Sequence, residues 1–202
     1  MIDYKKDKIY KQNQQVSYFE VPPYDAICIR GEGDPNEVDF QYRVGALYSI
    51  AYKLKMAPKK DISIFNYEEY KVYPLEGIWD LQEIAKAKDS YTKSDFTYTI
   101  MIKQPVFITS SVFDDVIQFH SNKLDSFQKQ VTFERFEEGK VVQILHIGSY
   151  DDEQKSFDVI IADLKLKNLE RRTLTHREIY LSDSRKNKPE NLKTILRFEL
   201  KD

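Results

Sequence analysis

YDAICIRGEGDPN, residues 24–36, reads as one strand running into one helix. The run follows Pro22-Pro23, carries the unbroken apolar stretch Ala26 to Ile29, and ends in Gly31 and Gly33, residues that punctuate strands. Asp34-Pro35-Asn36 then supplies a capping side chain and a proline of the kind tolerated in a first helical turn. Phe40, Val44, Leu47, Ala51 and Leu54 follow at spacings of four and three, on one face of a helix predicted to run to about Met56 and to stop before Pro58. Glu69 to Trp79 (EYKVYPLEGIW) returns to strand composition, with Gly77 read as a bulge. Phe96 to Lys103 (FTYTIMIK) is a further strand, closed by Pro105.

The order strand, helix, strand, strand then recurs. Thr109 to Gln130 reads as a connecting helix that turns Val112, Val116, Phe119, His120, Leu124 and Phe127 toward one side. Val131 to Glu137 and Lys140 to Ile147 read as a hairpin around Glu138-Gly139, Ser156 to Lys167 as a helix, and Thr173 to Leu181 and Lys193 to Leu200 as strands. Ile27 to Asp34 aligns with Ile144 to Asp151, and Leu75-Glu76-Gly77-Ile78 with Arg177-Glu178-Ile179-Tyr180, a period near 115 residues that suggests duplication of one supersecondary unit. The expectation is an α+β fold of tandem duplicated strand-helix-strand-strand modules with pseudo-twofold symmetry and a central ligand cleft. Module one covers about 16–105, the connector helix about 109–130 and module two about 131–202 of a single domain.

Composition narrows the function. Of 202 residues, 41% are hydrophobic and 32% charged, and 31 basic side chains stand against 33 acidic ones for a net charge of −2. No apolar run approaches the roughly 20 residues needed to span a bilayer, and Met1 to Lys11 alternates charge with aromatics, unlike a signal peptide, so a cytoplasmic protein without a membrane role is expected. The lone Cys28 lies in an apolar run and reads as a buried structural residue. Beyond Arg171-Arg172 and the stretch 185–188 there is no basic cluster, which argues against direct nucleic-acid binding.

The common catalytic signatures are missing: no GxSxG, HExxH, paired CxxC or phosphate loop, and the three histidines, His120, His146 and His176, have no metal-ligand spacing. Two carboxylates occupy matching places in the repeat, Glu76 in PLEGIW and Glu178 in HREIYL. Glutamate is disfavoured among the apolar residues of a strand, so each faces a polar-lined cavity, a solvated surface or an ion-pair partner. Alternation puts His176, Glu178 and Tyr180 on one face and Arg177 and Ile179 on the other, while a bulge at Gly77 would bring Trp79 to the side of Glu76. Fourteen tyrosines add flat apolar faces with polar handles, suited to aromatic ligands.

These residues resemble the GyrI-like small-molecule-binding proteins of the SOUL/GyrI superfamily. The segments that carry the resemblance are Gly31 to Asn36, Leu47 to Tyr52, Pro74 to Trp79, Glu138-Gly139, Gln143 to Gly148 with Tyr150, His176 to Asp183 and Leu192 to Arg197. The sequence departs from the family pattern at Asp80, Ser149, Arg177 and Ser184. The resemblance implies two strand-helix-strand-strand modules and, for stand-alone members of this length, binding of hydrophobic or cationic aromatic small molecules. It also implies, for some members, hydrolysis of cyclopropanoid DNA-alkylating compounds by ring opening with water. On it Glu76, Glu178 and Tyr150 are the expected catalytic residues, Trp79, Tyr180 and His176 the expected ligand-binding residues, and no metal or nucleotide cofactor is required. Non-catalytic multidrug binding or sensing, and interaction with a topoisomerase, are the alternatives. About 15 residues precede module one, too few for the DNA-binding domain of the family's transcription activators.

Overall fold

The computed structural model describes residues 1–202. In chain order its elements are β1 (Ser17–Val21), β2 (Tyr24–Glu32), α1 (Val38–Met56), β3 (Leu75–Leu81), α2 (Glu83–Lys86), β4 (Phe96–Lys103), α3 (Ser110–His120), β5 (Thr132–Phe136), β6 (Gly139–Ile147), α4 (Glu153–Leu166), β7 (His176–Tyr180) and β8 (Lys193–Glu199). The α+β class follows, and the order strand, helix, strand, strand occurs twice, as β2-α1-β3-β4 and β6-α4-β7-β8. No helix is long and apolar enough to cross a membrane.

The chain forms two compact units interleaved in sequence. The first comprises residues 1–4, 24–73 and 81–136. Its strands run in the order β4-β2-β5, all antiparallel, with α1 packed on β2 and β4 and α3 on α1 and β5. Ala26, Ile27, Cys28 and Ile29 are all buried, which explains an unbroken apolar run in place of alternation. The Cys28 thiol lies 3.2 Å from Thr132 Oγ1 and burial pushes its pKa up to about 11, so it is an inert core residue.

The second unit comprises residues 5–23, 74–80 and 137–202. Its antiparallel strands follow the order β1-β6-β8-β7-β3. One face of this sheet carries Val142, Ile144, Leu196 and Phe198 against Ile160 and Leu164 of α4, with Tyr18 and Phe157 at the margin. Each such buried side chain contributes about 1.5–3 kcal/mol through area removed from water. Tyr18 also donates its hydroxyl to Asp163, tying edge strand β1 to α4.

Several expected details are replaced by others. Residues 131–137 and 140–147 are strands but not a hairpin: β5 pairs with β2, and β6 with β1 and β8. Strand composition and a Glu-Gly turn do not specify which edge a strand joins. The helix expected over 109–130 ends at His120, and Asp125 turns the following chain by accepting from the backbone N–H groups of Phe127 and Gln128. Asp34 likewise accepts from Asn36 N in a turn, so α1 begins only at Val38. β3 starts after Pro74, and β1, an edge strand ahead of Pro22-Pro23, was not foreseen. Gly77 makes no bulge, because the register from Leu75↔Tyr180 to Trp79↔His176 is continuous.

Candidate functional site

The unbroken β3–β7 register decides which sequence-expected residues meet. Directly opposed residues of an antiparallel pair share a face. Gly77 lies opposite Glu178 and Trp79 opposite His176, so Gly77, Trp79, His176, Glu178 and Tyr180 share the face that carries Leu196 and α4. Glu76 and Arg177 fall on the other face. The two matching carboxylates of the repeat are therefore on opposite sides of one sheet.

On the first face the polar groups form a chain. Trp79 Nε1 donates to the Tyr180 hydroxyl at 3.0 Å, and that hydroxyl donates to Glu178 Oε2 at 2.7 Å. His176 Nε2 lies 2.9 Å from Glu178 Oε1, and its ring meets Phe157 edge-on at 4.8 Å. Burial, then the charge of Glu178, raises the Tyr180 pKa well above the ordinary phenol value, so the group stays a donor. Tyr150, in the turn before α4, packs edge-on against Tyr180 at 5.8 Å, and burial raises the pKa of its hydroxyl. Trp79 is 5% exposed and Tyr150 39% exposed, so the cluster runs from the interior to solvent.

Gly77 makes this packing possible: a Cβ there would fall 2.7 Å from Trp79 Nε1. Gly77→Ala is expected to push the indole off its position, break the Trp79–Tyr180 bond and cost about 1–3 kcal/mol by overpacking. A thermal melt together with the tryptophan fluorescence maximum reads both effects, and an unshifted maximum would show that the indole tolerates the methyl group.

Glu153, the first residue of α4, completes the cluster and was not foreseen. It is 6% exposed; burial first, then the neighbouring Glu178, push its pKa up to about 9. At neutral pH the Glu153 carboxyl therefore keeps its proton beside Glu178. The sequence did contain a signal, because Glu153, Phe157, Ile160 and Leu164 are spaced four, three and four apart, which places the carboxyl on the apolar face of α4. The acidic run Asp151-Asp152-Glu153 hides it as an ordinary helix start.

The opposite face holds a buried ionic network. Glu76, 1% exposed, accepts from Tyr10 at 2.8 Å and from Arg177 Nη1 at 3.1 Å. Arg177 Nε is also paired with Glu138 at 3.1 Å, and Arg197 bonds both Glu138 oxygens at 3.0 Å, Gln143 Oε1 and Ile9 O. Two guanidinium groups and two carboxylates balance, and the N-terminal segment is bonded to the sheet through Ile9 and Tyr10.

His146 bonds Ser156 at 2.9 Å and Ser149 O at 3.0 Å, which fixes the turn that carries Tyr150. His120 is the last residue of α3, in the first unit. No group of three or more His, Cys, Asp or Glu side chains is arranged to hold a metal ion.

Comparison with known proteins agrees with this architecture. The family model of the GyrI-like small molecule binding domain matches residues 14–201. An uncharacterized conserved protein from Listeria innocua is 31% identical with a TM-score of 0.90, and a hydrolase from Listeria innocua is 30% identical with a TM-score of 0.87; each alignment covers 100% of both chains. The EcmrR C-terminal domain, at 11% identity and a TM-score of 0.53 over 93% of this chain and 98% of its own, shares the fold alone. No curated protein sequence matches. With nearly the whole chain matched by the family model, the protein belongs to the family of GyrI-like small molecule binding domains.

Proposed function

We propose that the protein binds flat, lipophilic aromatic compounds against Trp79, Tyr180 and His176 and hydrolyses cyclopropanoid-type genotoxic compounds by opening the strained ring with water. The observation that carries this reading is the buried Glu153 carboxyl, which keeps its proton at neutral pH, next to Glu178 and set beside an indole and two phenols. A pair of this kind accepts a proton and also has one to give, which is what general acid–base work at neutral pH needs. Water's oxygen bonds to the ring methylene as the carbon–carbon bond to it breaks. The electron pair released moves through the conjugated system to the carbonyl oxygen, which takes a proton from the Tyr150 hydroxyl, while Glu178 takes the proton lost by water and, through the Glu153 carboxyl, passes one back to the Tyr150 phenolate, which resets the site. Glu76 acts from the other face of the sheet by holding Arg177, the residue between His176 and Glu178. The full-length likeness to a Listeria innocua hydrolase supports an enzyme over a carrier.

The test is incubation with a cyclopropanoid alkylator followed by mass spectrometry. The wild type is expected to add one water, and Glu178→Gln to lose about 100-fold or more of that rate while still binding, the usual scale for removing a general base. Unchanged compound with a raised melting temperature would replace the hydrolase reading with that of a non-catalytic multidrug-binding protein.

A further inference from the structure

Among the buried polar atoms of the second unit that complete no hydrogen bond within the protein, two belong to neighbouring side chains: Glu153 Oε1 at the start of α4 and Thr194 Oγ1 on β8. Thr194 is 0% exposed and sits opposite Tyr180 in the β7–β8 register, on the same face as Glu178. Its hydroxyl is near enough to Glu153 to favour the charged carboxylate, yet the pair lacks a direct bond of good geometry. A single orphaned buried acceptor or hydroxyl costs about 1–3 kcal/mol. Two of them side by side, with a carboxylate next to them, supply the two to four polar partners that a buried water requires.

We infer that Thr194 and Glu153 bind the hydrolytic water, and that Thr194 is a positioning residue for the nucleophile. This rests on the hydrolase reading proposed above and specifies it. The Thr194 hydroxyl donates to the water oxygen, while Glu153 Oε1 and the Glu178 carboxylate accept its two protons. Three of the four tetrahedral directions of the water are then occupied, and the fourth, a lone pair, is left for the ligand held by Trp79. As that lone pair bonds to the ring methylene, the ring carbon–carbon bond breaks toward the carbonyl oxygen, and the proton directed at Glu178 is transferred. A fully buried threonine near the start of β8, followed by Ile195 and Leu196, thereby gains a role that strand propensity alone does not give it.

Thr194→Val keeps the shape of the side chain and removes only the hydroxyl; Thr194→Ser keeps the hydroxyl. With a cyclopropanoid probe, Thr194→Val is expected to lower kcat about 100-fold at unchanged KM, as removal of one oriented polar group in a catalytic site does, and Thr194→Ser to restore it to within several-fold. A high-resolution crystal structure of the wild type should show an ordered water bonded to Thr194 Oγ1 and Glu153 Oε1, and the same crystals of Thr194→Val should lack it. If the valine variant does not fold, Thr194→Ala carries the same comparison. An active wild type with a fully active valine variant, or with no water at that place, overturns this inference alone. A wild type that turns over no cyclopropanoid overturns the hydrolase reading, and the nucleophile's role falls with it.

Discussion

Arg197→Met should lower the stability of the protein by about 3–5 kcal/mol, the range for breaking a buried ion pair by removing one partner. Arg197 is 1% exposed and makes every one of its bonds inside the second unit: two to Glu138, two to Gln143 and one to Ile9 O. Methionine fills much of the volume but satisfies none of these acceptors. Glu138 would keep Arg177, which it already shares with Glu76, so two buried carboxylates would face one guanidinium. Urea denaturation gives the loss directly, and a fall of roughly 6–20 °C in Tm is expected for a chain of this size. The double replacement Arg197→Met with Glu138→Leu should recover part of the loss, because it removes the uncompensated charge together with its partner. A single-variant loss below about 1 kcal/mol would mean that the network rearranges around Arg177, and the balance of charges argued here would not be what holds it.

That network was beyond the reach of the sequence for a plain reason. Arg197 and Glu138 are 59 positions apart, and Arg177 and Glu76 are 101 apart. Each alone reads as a surface charge. What the sequence did carry was period: the 3.6-residue spacing of Leu47, Ala51 and Leu54 located α1, and FTYTIMIK matched β4 to the residue. The alternation of β7 was also legible and assigned Glu178 and Arg177 to opposite faces. One local misreading, a bulge at Gly77, was enough to put Glu76 and Trp79 together, because a slip of one residue exchanges the two faces of a strand. Gly77 serves the packing of Trp79 instead, a tertiary contact with no local signature.

Glu153→Gln is expected to stabilise the protein at neutral pH and to disable it. The folded carboxyl holds its proton up to about pH 9, whereas the ordinary value is 4.5, so between those limits the folded state binds a proton that the unfolded state has released. Stability from this group is thus highest at low pH and falls as pH rises through the window, by up to about 1.4 kcal/mol per unit. At neutral pH the cost is about 3 kcal/mol, and glutamine, which needs no proton, removes it. Wild type and variant should be equally stable near pH 4, diverge steadily toward pH 8, and cross-check each other in a series of urea midpoints. The same change removes the carboxyl that relays a proton from Glu178 back to Tyr150, so turnover of a cyclopropanoid should fall about 100-fold or more. A site that retains a destabilising carboxyl where an amide would sit more comfortably trades stability for the proton it holds. A variant less stable than wild type at every pH would mean that Glu153 is charged and paired in the fold, and the acid–base role assigned to it would go with that result.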